Sequence, residues 1–518
     1  MTWRQLSRHS GFACTACYVC GDPRVCRPSE AVRPGGESAP SLSSFRTRSG
    51  IRSQHGLRCG VRPLFSYPFL RTLLSMKYSS LLGHTYEALH EFFLTAKPAD
   101  AILDRFFRSH KYLGARDRRF IAETVYGVLR HLRLSREIIA QIVGNDYAGL
   151  GEEKQLRLAL VAYSVVVTSG ADRSESDLRE FLQDTIPANV IDTVLKGLSE
   201  HRAAADKSSV GTGVRFSFPD WMVHRFTEEY GPVESERLCQ ALNEPAPLTI
   251  RVNLLKASRD ECHSRLSKEH VNCEPTRYSP LGLQIPKRLN LFQLQSFREG
   301  YFEVQDEGSQ ILPLLIDPTP TAKVLDACAG AGGKSLEFAM LMKNRGEIVA
   351  ADVHDRRLEE LRKRSRRAGA HNIRTKVVDL LEVDETDIEP VFDIVLVDAP
   401  CSGVGTIRRN PGMKWTVTEE TVREISEKQR RILANSARYV KQGGLLVYAT
   451  CTLFREENED VVNGFLDAHP GYELEDPTVR VERVQLHGST SGRFVKLLPH
   501  IHGTDGFFCA FLRQRQVP

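Results

Sequence analysis

The chain has 518 residues, of which 41% are hydrophobic and 26% are charged, and this ordinary globular balance excludes a wholly disordered or fibrous protein. At roughly 100–200 residues per domain, this length predicts about three or four domains. No run approaches the roughly 18 consecutive apolar residues of a transmembrane helix, so we expect no integral membrane function. Twelve cysteines at mostly wide spacings are too few for a disulfide scaffold, which favours a reducing compartment.

The first 75 residues differ from the rest in composition. They hold eleven Arg, no Lys and three acids, so they carry a net charge of +8 and the remaining 443 residues carry −3. A transit peptide has such a composition. The spacing of Cys14, Cys17, Cys20 and Cys26 suits zinc or an iron–sulfur cluster, although no His or second Cys pair follows at a finger-like distance. We favour a third interpretation, an unstructured or non-native extension, because nothing downstream needs a metal. True initiation would then be at Met76, where an amphipathic pattern begins abruptly.

Residues 76–205 predict an all-α bundle. Apolar residues recur at intervals of three and four, for example in the run from Asp117 to Val143, and short loops separate the helical patterns. Four basic side chains cluster near one helix start: Lys111, Arg116, Arg118 and Arg119. Such runs are usually solvated, but they also suit contacts with nucleic-acid phosphates.

Residues 206–300 predict a small α+β module that follows a Gly/Ser-rich linker over 204–216. The segment 246–257 alternates like a strand and precedes a helix-like segment, and strand and turn signals continue over 281–316.

Residues 301–518 predict a different architecture. From Val324 onward, strands and helices alternate, which indicates repeated βαβ units and a doubly wound, Rossmann-like, mainly parallel sheet. Ligands of such sheets bind at the carboxyl ends of the strands. We therefore expect a multidomain protein whose chemistry lies in this C-terminal α/β domain.

The first of these strands ends in DACAGAGGKS, from Asp326 to Ser335. A phosphate-binding P-loop would need Gly where Cys328 stands, and the dinucleotide fingerprint would need a third Gly at Ser335. The remaining option is a Gly-rich turn that approaches an adenosine-type ligand without phosphates, namely S-adenosylmethionine. Three residues would supply the close backbone approach: Gly330, Gly332 and Gly333.

Acidic residues follow the next two predicted strands. Asp352 ends the second strand, where a carboxylate can accept both ribose hydroxyls, and Asp379 follows the third, where it can accept from the adenine amine. A lone Gly-rich turn is weak evidence, since it is also an ordinary strand–helix connection. Three strand-end features in chain order favour a nucleoside cofactor.

The fourth and fifth predicted strands each end near a cysteine. Cys401 follows Pro400, and Cys451 follows Thr450, in polar loops that also hold Asp398. A cysteine in such a loop suits methylation of carbon 5 of cytosine, because this carbon is a poor nucleophile until a thiolate adds at carbon 6. A nearby acid must then stabilise the adduct, and a base must remove the carbon-5 proton so that the enzyme is released. The remaining downstream cysteines are interpreted as inert core residues: Cys239, Cys262, Cys273 and Cys509.

The motifs DAPCSG, ATCT and DACAGAGGKS resemble the Sun (Nop2/Sun) family of RNA 5-methylcytosine methyltransferases, and within it the bacterial ribosomal small-subunit RNA methyltransferase B subfamily. The resemblance runs from about Met76 to Leu512. It implies a NusB-like RNA-binding domain over residues 76–205, an RNA-binding module over 206–300 and a methyltransferase domain over 301–518. The paired Pro-Cys and Thr-Cys motifs are its specific signal.

The resemblance also implies roles for single residues. Cys451 matches the family's nucleophile, Cys401 the cysteine associated with product release, and Asp398 the acid near the cytosine and the methionine end of the cofactor. Asp352 and Asp379 match the ribose and adenine acids. The cofactor loop comprises Cys328, Ala329, Gly330, Ala331, Gly332, Gly333 and Lys334. The family usually has Pro where this chain has Ala331, and we expect that change to loosen the loop.

The resemblance implies S-adenosylmethionine as cofactor and small-subunit ribosomal RNA as partner, with no metal, no membrane and no obligate protein partner, for a cytoplasmic monomer. One alternative is a catalytically inactive RNA-binding ribosome-assembly factor, which would not need to retain both cysteines. A second is a 5-methylcytosine methyltransferase that acts on tRNA. A third, a small-molecule methyltransferase, would not need the two N-terminal modules.

Overall fold

The computed structural model describes residues 76–168, 174–203, 211–287, 289–382 and 391–515, with the side chains of 201–203 excepted. The interpretations of residues 1–75, including the four-cysteine cluster, lie outside the described residues. In the part of the chain that is described, no helix combines the length and the apolar character needed to cross a bilayer.

The predicted all-α region is confirmed as helical. Its helices are α1 (Tyr78–Thr95), α2 (Ala99–Ser109), α3 (Ala115–Val143), α4 (Glu152–Ala162), α5 (Glu175–Leu182) and α6 (Ala188–Ala203). The long helix α3 contacts α1, α2, α4 and α6, so it is the centre of the bundle. Its buried stripe includes Ile121, Val125, Val128 and Leu132, which recur at intervals of three and four as a helix face requires.

Two further helices connect this bundle to the rest of the chain: α7 (Thr212–Arg215) and α8 (Asp220–Asn243). Helix α8 is kinked at Gly231, whose φ of +77° lies in the left-handed region, and Pro232 follows it. Proline has no N–H for the helical hydrogen bond, which explains the break. Buried side chains of α8, among them Phe226 and Leu238, pack with Val404 and Ile407 of the C-terminal domain.

The small α+β module contains a four-stranded antiparallel sheet. Its strands are β1 (Leu248–Val252), β2 (Glu274–Pro275), β3 (Gly282–Ile285) and β4 (Phe302–Val304), in the order β2-β3-β1-β4, with helices α9 (Arg259–Lys268) and α10 (Gln295–Arg298). Strand β4 belongs to this sheet although it lies beyond residue 300, so the sheet of the module extends past the boundary that the sequence predicts, because β4 pairs with β1. The apolar core of the module includes Ile250, Leu266 and Phe302.

The C-terminal domain is built on a nine-stranded sheet. Its strands are β5 (Lys323–Asp326), β6 (Glu347–Asp352), β7 (Ile373–Val377), β8 (Phe392–Asp398), β9 (Val440–Thr450), β10 (Tyr472–Leu474), β11 (Thr490–Ser491), β12 (Phe494–Leu497) and β13 (Phe507–Gln514). The path is β11-β12-β13-β9-β8-β5-β6-β7, and β10 pairs with β13. Strands β5 to β9 are mutually parallel, which confirms the doubly wound core. The strand order reverses between β5 and β8, the position at which such sheets bind ligands.

Helices cover both faces of this sheet and enclose one apolar layer on each face. They are α11 (Glu307–Ile316), α12 (Gly333–Leu341), α13 (Asp355–Ala368), α15 (Glu419–Ala437), α16 (Glu459–Ala468) and α17 (Thr478–Arg483). Two short helices of the same domain, α14 (Met413–Thr416) and α18 (Pro499–His502), contribute no residue to either layer.

Two features of the sheet domain differ from the sequence-based expectation. The strand and turn signals over 281–316 include a helix, α11, because Asp306 caps its N-terminus and an apolar run alone does not separate a buried helix from a strand. The far edge of the sheet is antiparallel, since β13 runs against β9 between Phe508↔Thr450 and Arg513↔Leu445.

Candidate active site

The loop after β5 is shaped by two glycines and anchored by one carboxylate. Gly330 has a φ of +55°, and its N–H donates to Oδ2 of Asp352 at 2.9 Å. A Cβ at Gly330 would meet nothing within 4 Å, so open space lies beside the backbone there. Gly332, at φ +82°, packs so closely that a Cβ would lie 2.0 Å from Cδ1 of Leu361. The structure therefore contains the Gly-rich turn, and its close approach to a nucleoside cofactor stays a prediction.

The expected loosening of this loop is offset by a neighbouring helix. Arg364 of α13 donates to the carbonyl oxygen of Ala331 at 2.7 Å and is itself held by buried Glu303, 3.1 Å from its Nη2. The N–H of Gly332 also bonds to the carbonyl of Ala329 at 2.8 Å. The loop is therefore fixed by hydrogen bonds although it lacks the family's proline.

The two strand-end acids lie where the sequence places them. Asp352 ends β6 and is almost fully buried; its Oδ1 accepts from the N–H of His354 at 2.8 Å. Each carboxylate oxygen has two acceptor sites, so both oxygens of Asp352 retain capacity for a further donor. Asp379 follows β7, and its Oδ1 accepts from the N–H of Leu381 at 2.9 Å.

A buried carboxyl group lies behind the Gly-rich loop. Burial raises the pKa of Asp326 to about 7, against the opposing hydrogen bond from the Ser335 hydroxyl, which lies 2.5 Å from Oδ2. Oδ1 of Asp326 is buried with no hydrogen-bond partner. An unpaired buried oxygen is costly, so this atom marks a place where a ligand's donor would be stabilising. With the open space beside Gly330, it makes the loop a fitting cradle for a nucleoside cofactor.

The two predicted cysteines meet at the carboxyl edge of the sheet. Sγ of Cys401 lies 3.3 Å from Sγ of Cys451, and the backbone N–H of Cys451 points to Sγ of Cys401 at 3.4 Å. Both residues are only partly buried, in contrast to the four cysteines interpreted as inert, which are all buried. Burial raises the pKa of the Cys239 and Cys262 thiols to about 12. The distinction between a reactive pair and core cysteines is thereby supported by exposure.

Asp398 and Lys334 form an ion pair next to the cofactor loop. Nζ of Lys334 donates to Oδ2 of Asp398 at 2.5 Å and lies 5.7 Å from the ring centroid of Phe507. Lys334 is almost fully buried at the start of α12, whereas Asp398 is half-buried at the end of β8. The pair therefore joins the Gly-rich loop to the strand that precedes Cys401.

Sequence reasoning missed Glu457, which joins the two cysteine loops. Its Oε1 accepts from the N–H of Ser402 at 2.7 Å and from Gln429 at 3.2 Å. Its Oε2 accepts from the hydroxyls of Ser402 at 2.5 Å and Thr452 at 2.9 Å. Burial raises the pKa of Glu457, and these donors oppose that rise. Ser402 and Thr452 directly follow Cys401 and Cys451, so one carboxylate fixes both loops. The acidic run that follows the Thr-Cys motif in the sequence, which includes Glu457, was the signal that could have identified it.

A second missed group supports the cofactor loop from the α+β module. Buried Arg251 of β1 donates to the carbonyl oxygen of Gly333 and to Oε2 of Glu337, each at 2.8 Å, and also to Gln305. Burial raises the pKa of Glu337 to about 7, and the Arg251 charge opposes this. The small module and the Gly-rich loop are thus hydrogen-bonded to each other.

The basic cluster of the helical bundle is divided in the structure. Lys111 and Arg116 are exposed. Arg119 pairs with Glu123 at 2.9 Å, and Arg118 donates to the carbonyl oxygen of Leu113 at 2.9 Å. Lys111 and Arg116 are therefore the better candidates for contacting a phosphate.

The C-terminal domain has the features of a Rossmann-like methyltransferase domain. These are a doubly wound sheet with an antiparallel strand beside β9, a Gly-rich loop at the switch point and acids at successive strand ends. The model of the family described as 16S rRNA methyltransferase RsmB/F matches residues 313–513, and the model of the RsmF/B-like ferredoxin-like domain matches residues 218–291. The chain belongs to this RsmB/F methyltransferase family, which confirms the resemblance drawn from its paired Pro-Cys and Thr-Cys motifs.

Individual relatives agree with this placement. The chain is 32% identical over 426 residues to a probable ribosomal RNA small subunit methyltransferase B of Synechocystis, covering 80% of this chain and 95% of that protein. The solved structure of PH0851 is 28% identical with a TM-score of 0.68, covering 85% of this chain and all of that one. A methyltransferase homolog from Pyrococcus horikoshii is 30% identical with a TM-score of 0.50, covering 60% of this chain and 99% of that one.

Proposed function

We propose that the protein transfers a methyl group from S-adenosylmethionine to carbon 5 of a cytidine in small-subunit ribosomal RNA, through a covalent adduct with Cys451. The single observation that carries this proposal is the pair of sulfur atoms 3.3 Å apart at the sheet's switch-point edge. A methyltransferase that modified an oxygen or an exocyclic nitrogen would need no thiol, because those atoms have their own lone pairs. Two thiols side by side suit a reaction that must both form and break a carbon–sulfur bond.

S-adenosylmethionine, when bound, supplies an electrophilic methyl carbon. We assign its nucleoside to the Gly-rich loop, where Asp352 would accept from the ribose hydroxyls and Asp379 from the adenine amine. The backbone beside Gly330 has room for this approach. Arg251 and Arg364 position the loop through the carbonyl oxygens of Gly333 and Ala331.

In the proposed reaction, the Cys451 thiolate adds to carbon 6 of the cytosine, and the ring's electron density moves toward N3 and carbon 5. Asp398 lies beside N3 and stabilises the adduct there; Nζ of Lys334, 2.5 Å from its carboxylate, holds a proton that the pair can supply. Carbon 5 then takes the methyl group, whose bond to the cofactor's sulfonium sulfur breaks with the electron pair staying on that sulfur. We assign to the Cys401 thiolate the acceptance of the carbon-5 proton. Loss of this proton, cleavage of the bond between carbon 6 and Cys451 and return of the N3 proton to the Asp398–Lys334 pair restore the aromatic ring and free the Cys451 thiolate.

The helical bundle is proposed to be a NusB-like RNA-binding domain, and residues 206–300 an RNA-binding module, with residues 301–518 as the catalytic domain. The target base must leave its stack to reach Cys451, so we expect unpaired cytidines to be preferred over intact duplex. We propose that the protein acts as a cytoplasmic monomer on ribosomal RNA.

Two substitutions test the assignment of the cysteines. Cys451→Ala should abolish both methylation and any covalent RNA adduct, because no other group would activate carbon 5. Cys401→Ala should still attack and transfer the methyl group, and then stall as a protein–RNA conjugate that survives denaturing electrophoresis. Cys273→Ala, at a buried thiol of the small module, is the matched control and should leave both readouts unchanged.

The reverse pattern, with a conjugate from Cys451→Ala and none from Cys401→Ala, would overturn the assignment. Bisulfite mapping and mass spectrometry of ribosomal RNA from cells with and without the protein test the product. A methyl group found on a ring nitrogen or a ribose hydroxyl would refute the proposed chemistry. Methylation found only in tRNA would show that tRNA is the substrate. A folded protein that transfers no methyl group at all would favour the inactive assembly factor.

A further inference from the structure

Three side chains with metal-binding atoms converge on the helical bundle, away from the cysteine pair. His84 and Glu87 lie one turn apart on α1, and His110 caps the C-terminus of α2. Nδ1 of His84 is 3.3 Å from Oε2 of Glu87, and Nε2 of His110 is 4.0 Å from the same oxygen. All three atoms lie within 4.8 Å of one another, and no other trio of His, Cys, Asp or Glu ligands as close occurs among the described residues.

One of these separations equals that of a tetrahedral metal centre, and a second exceeds it by less than 1 Å. Zinc bonds of about 2.0–2.1 Å at the tetrahedral angle separate neighbouring ligand atoms by about 3.3–3.4 Å. The His84–Glu87 pair already has this spacing, and His110 needs to approach by about 1 Å or less relative to the Glu87 oxygen. His110 follows the last residue of α2, where a shift of this size requires no movement of a core helix.

The outer partners of the two rings orient them as ligands. Nδ1 of His110 lies 2.9 Å from the carbonyl oxygen of Phe106, and the His110 ring stacks on the Phe106 ring at 4.0 Å. A proton held on Nδ1 for this bond leaves the lone pair of Nε2 facing Glu87. The Tyr112 hydroxyl lies 3.1 Å from Nε2 of His84, so Nδ1 of that ring faces the same point. Histidine ligands of metals are characteristically fixed by such bonds from the other nitrogen.

We propose that His84, Glu87 and His110 bind a divalent transition-metal ion of the zinc class, with water completing the coordination. Two imidazoles and one carboxylate form a ligand set that zinc favours, whereas Mg²⁺ and Ca²⁺ prefer all-oxygen sites. The ion would tie α1 to the end of α2. This inference is independent of the proposed methyl transfer, since none of the three residues lies in the catalytic domain.

The test uses the full chain, stripped with a chelator and titrated with Zn²⁺ against a chromophoric zinc indicator. Wild type should bind one more zinc ion than the His84→Ala/His110→Ala variant. Glu87→Gln keeps the shape of the side chain and should lower the affinity of that site by more than the ~10–100-fold typical of outer-shell changes. Tyr112→Phe should lower it by about 10-fold.

The matched control is His224→Ala. Nε2 of His224 lies 3.5 Å from Oε1 of Glu228 on α8, a two-residue pair outside any such trio of described ligands. The control should leave the zinc stoichiometry unchanged. If His224→Ala loses a zinc ion as the double variant does, two-residue His–Glu pairs are sufficient to bind zinc, and the three-ligand site is refuted.

Thiols elsewhere in the chain also bind zinc, so the ligand type is read with Co²⁺. The site lost in the double variant should contribute d–d absorption without a sulfur-to-metal charge-transfer band. Equal stoichiometry in wild type and the double variant would overturn the proposal. If the double variant unfolds by circular dichroism, Glu87→Gln decides: unchanged zinc affinity in that folded variant also refutes the site.

Discussion

Replacing Glu457 by Ala should uncouple the two cysteine loops. The carboxylate accepts four hydrogen bonds, from the N–H and hydroxyl of Ser402, the hydroxyl of Thr452 and the side-chain amide of Gln429. The two hydroxyls already lie 2.9 Å apart and can bond to each other after the change. Two buried N–H donors remain without a partner, at ~1–3 kcal/mol each, so we expect the free energy of unfolding to fall by ~2–6 kcal/mol.

The same change should lower the rate of methyl transfer more than it affects cofactor binding. Glu457 holds the loops that set the spacing of Cys401 and Cys451, whereas the hydrogen bonds of Gly330 and Asp352 described above join them to each other and to His354. We expect kcat to fall at least ~10-fold under conditions where the variant is folded, because displacement of about 1 Å at a reacting group costs that much or more. The KM for S-adenosylmethionine should change little.

Urea denaturation gives the stability change, and single-turnover methylation with radiolabelled cofactor gives the rate. Glu457→Gln is the matched control: its amide oxygen can keep both N–H bonds and its NH₂ can donate to the hydroxyls, so it should lie between wild type and Glu457→Ala in both assays. A Glu457→Ala protein with wild-type stability and rate would refute the role assigned to this carboxylate.

Three further expectations follow from buried or exposed charges. Lys414 is fully buried and donates to the carbonyl oxygens of Arg130, Phe216 and Ser217, and burial lowers its pKa. Lys414→Met leaves these carbonyl oxygens without their donor, so it should lower the free energy of unfolding by at least ~3 kcal/mol in urea titrations. An unchanged unfolding midpoint would contradict this. Burial raises the pKa of Asp326 from 3.8 to about 7 on folding, so its ionisation destabilises the fold as pH rises from about 4 to about 7. Asp326→Asn should therefore gain stability relative to wild type across that window, by up to ~4 kcal/mol, and a constant difference would refute it. Exposed Lys111 and Arg116 should each, on replacement by Ala, reduce the slope of log K for RNA against log salt by ~0.7–0.9; an unchanged slope for the double variant would exclude them as phosphate contacts.

Strand ends were the most predictable part of the site. A buried strand in a parallel sheet is a short apolar run, and the polar residues that follow it necessarily reach the carboxyl edge. Local pattern alone therefore placed five residues at one edge. In the structure Asp352 and Asp398 end their strands, and the others follow a strand end within three residues: Asp379, Cys401 and Cys451. The reactive pair was likewise distinguished from the buried cysteines by its polar, Gly- and Thr-flanked loops beside Asp398.

Contacts between distant segments were not predictable in this way. Glu457 is 55 residues from Ser402, and Arg251 is 86 residues from Glu337, so no periodicity links either pair. Such partners are set by how the strands align and how the small module packs on the sheet domain. The burial that raises the pKa of Glu337 and Asp326 to about 7 is also a property of the assembled core.

The sequence by itself determined the helical character of the N-terminal bundle, the order of strands β5 to β9, the doubly wound class of the C-terminal domain and the identity of the residues at its strand ends, because hydrophobic periodicity and Gly-rich turns are local properties of the chain. Only the tertiary structure decided that the two sulfur atoms lie 3.3 Å apart, that one buried carboxylate fixes both of their loops, and that His84 and Glu87 face His110 across two helices. These distances depend on packing between segments that are far apart in the chain, and side-chain packing is specified by the whole core and not by any one stretch of it.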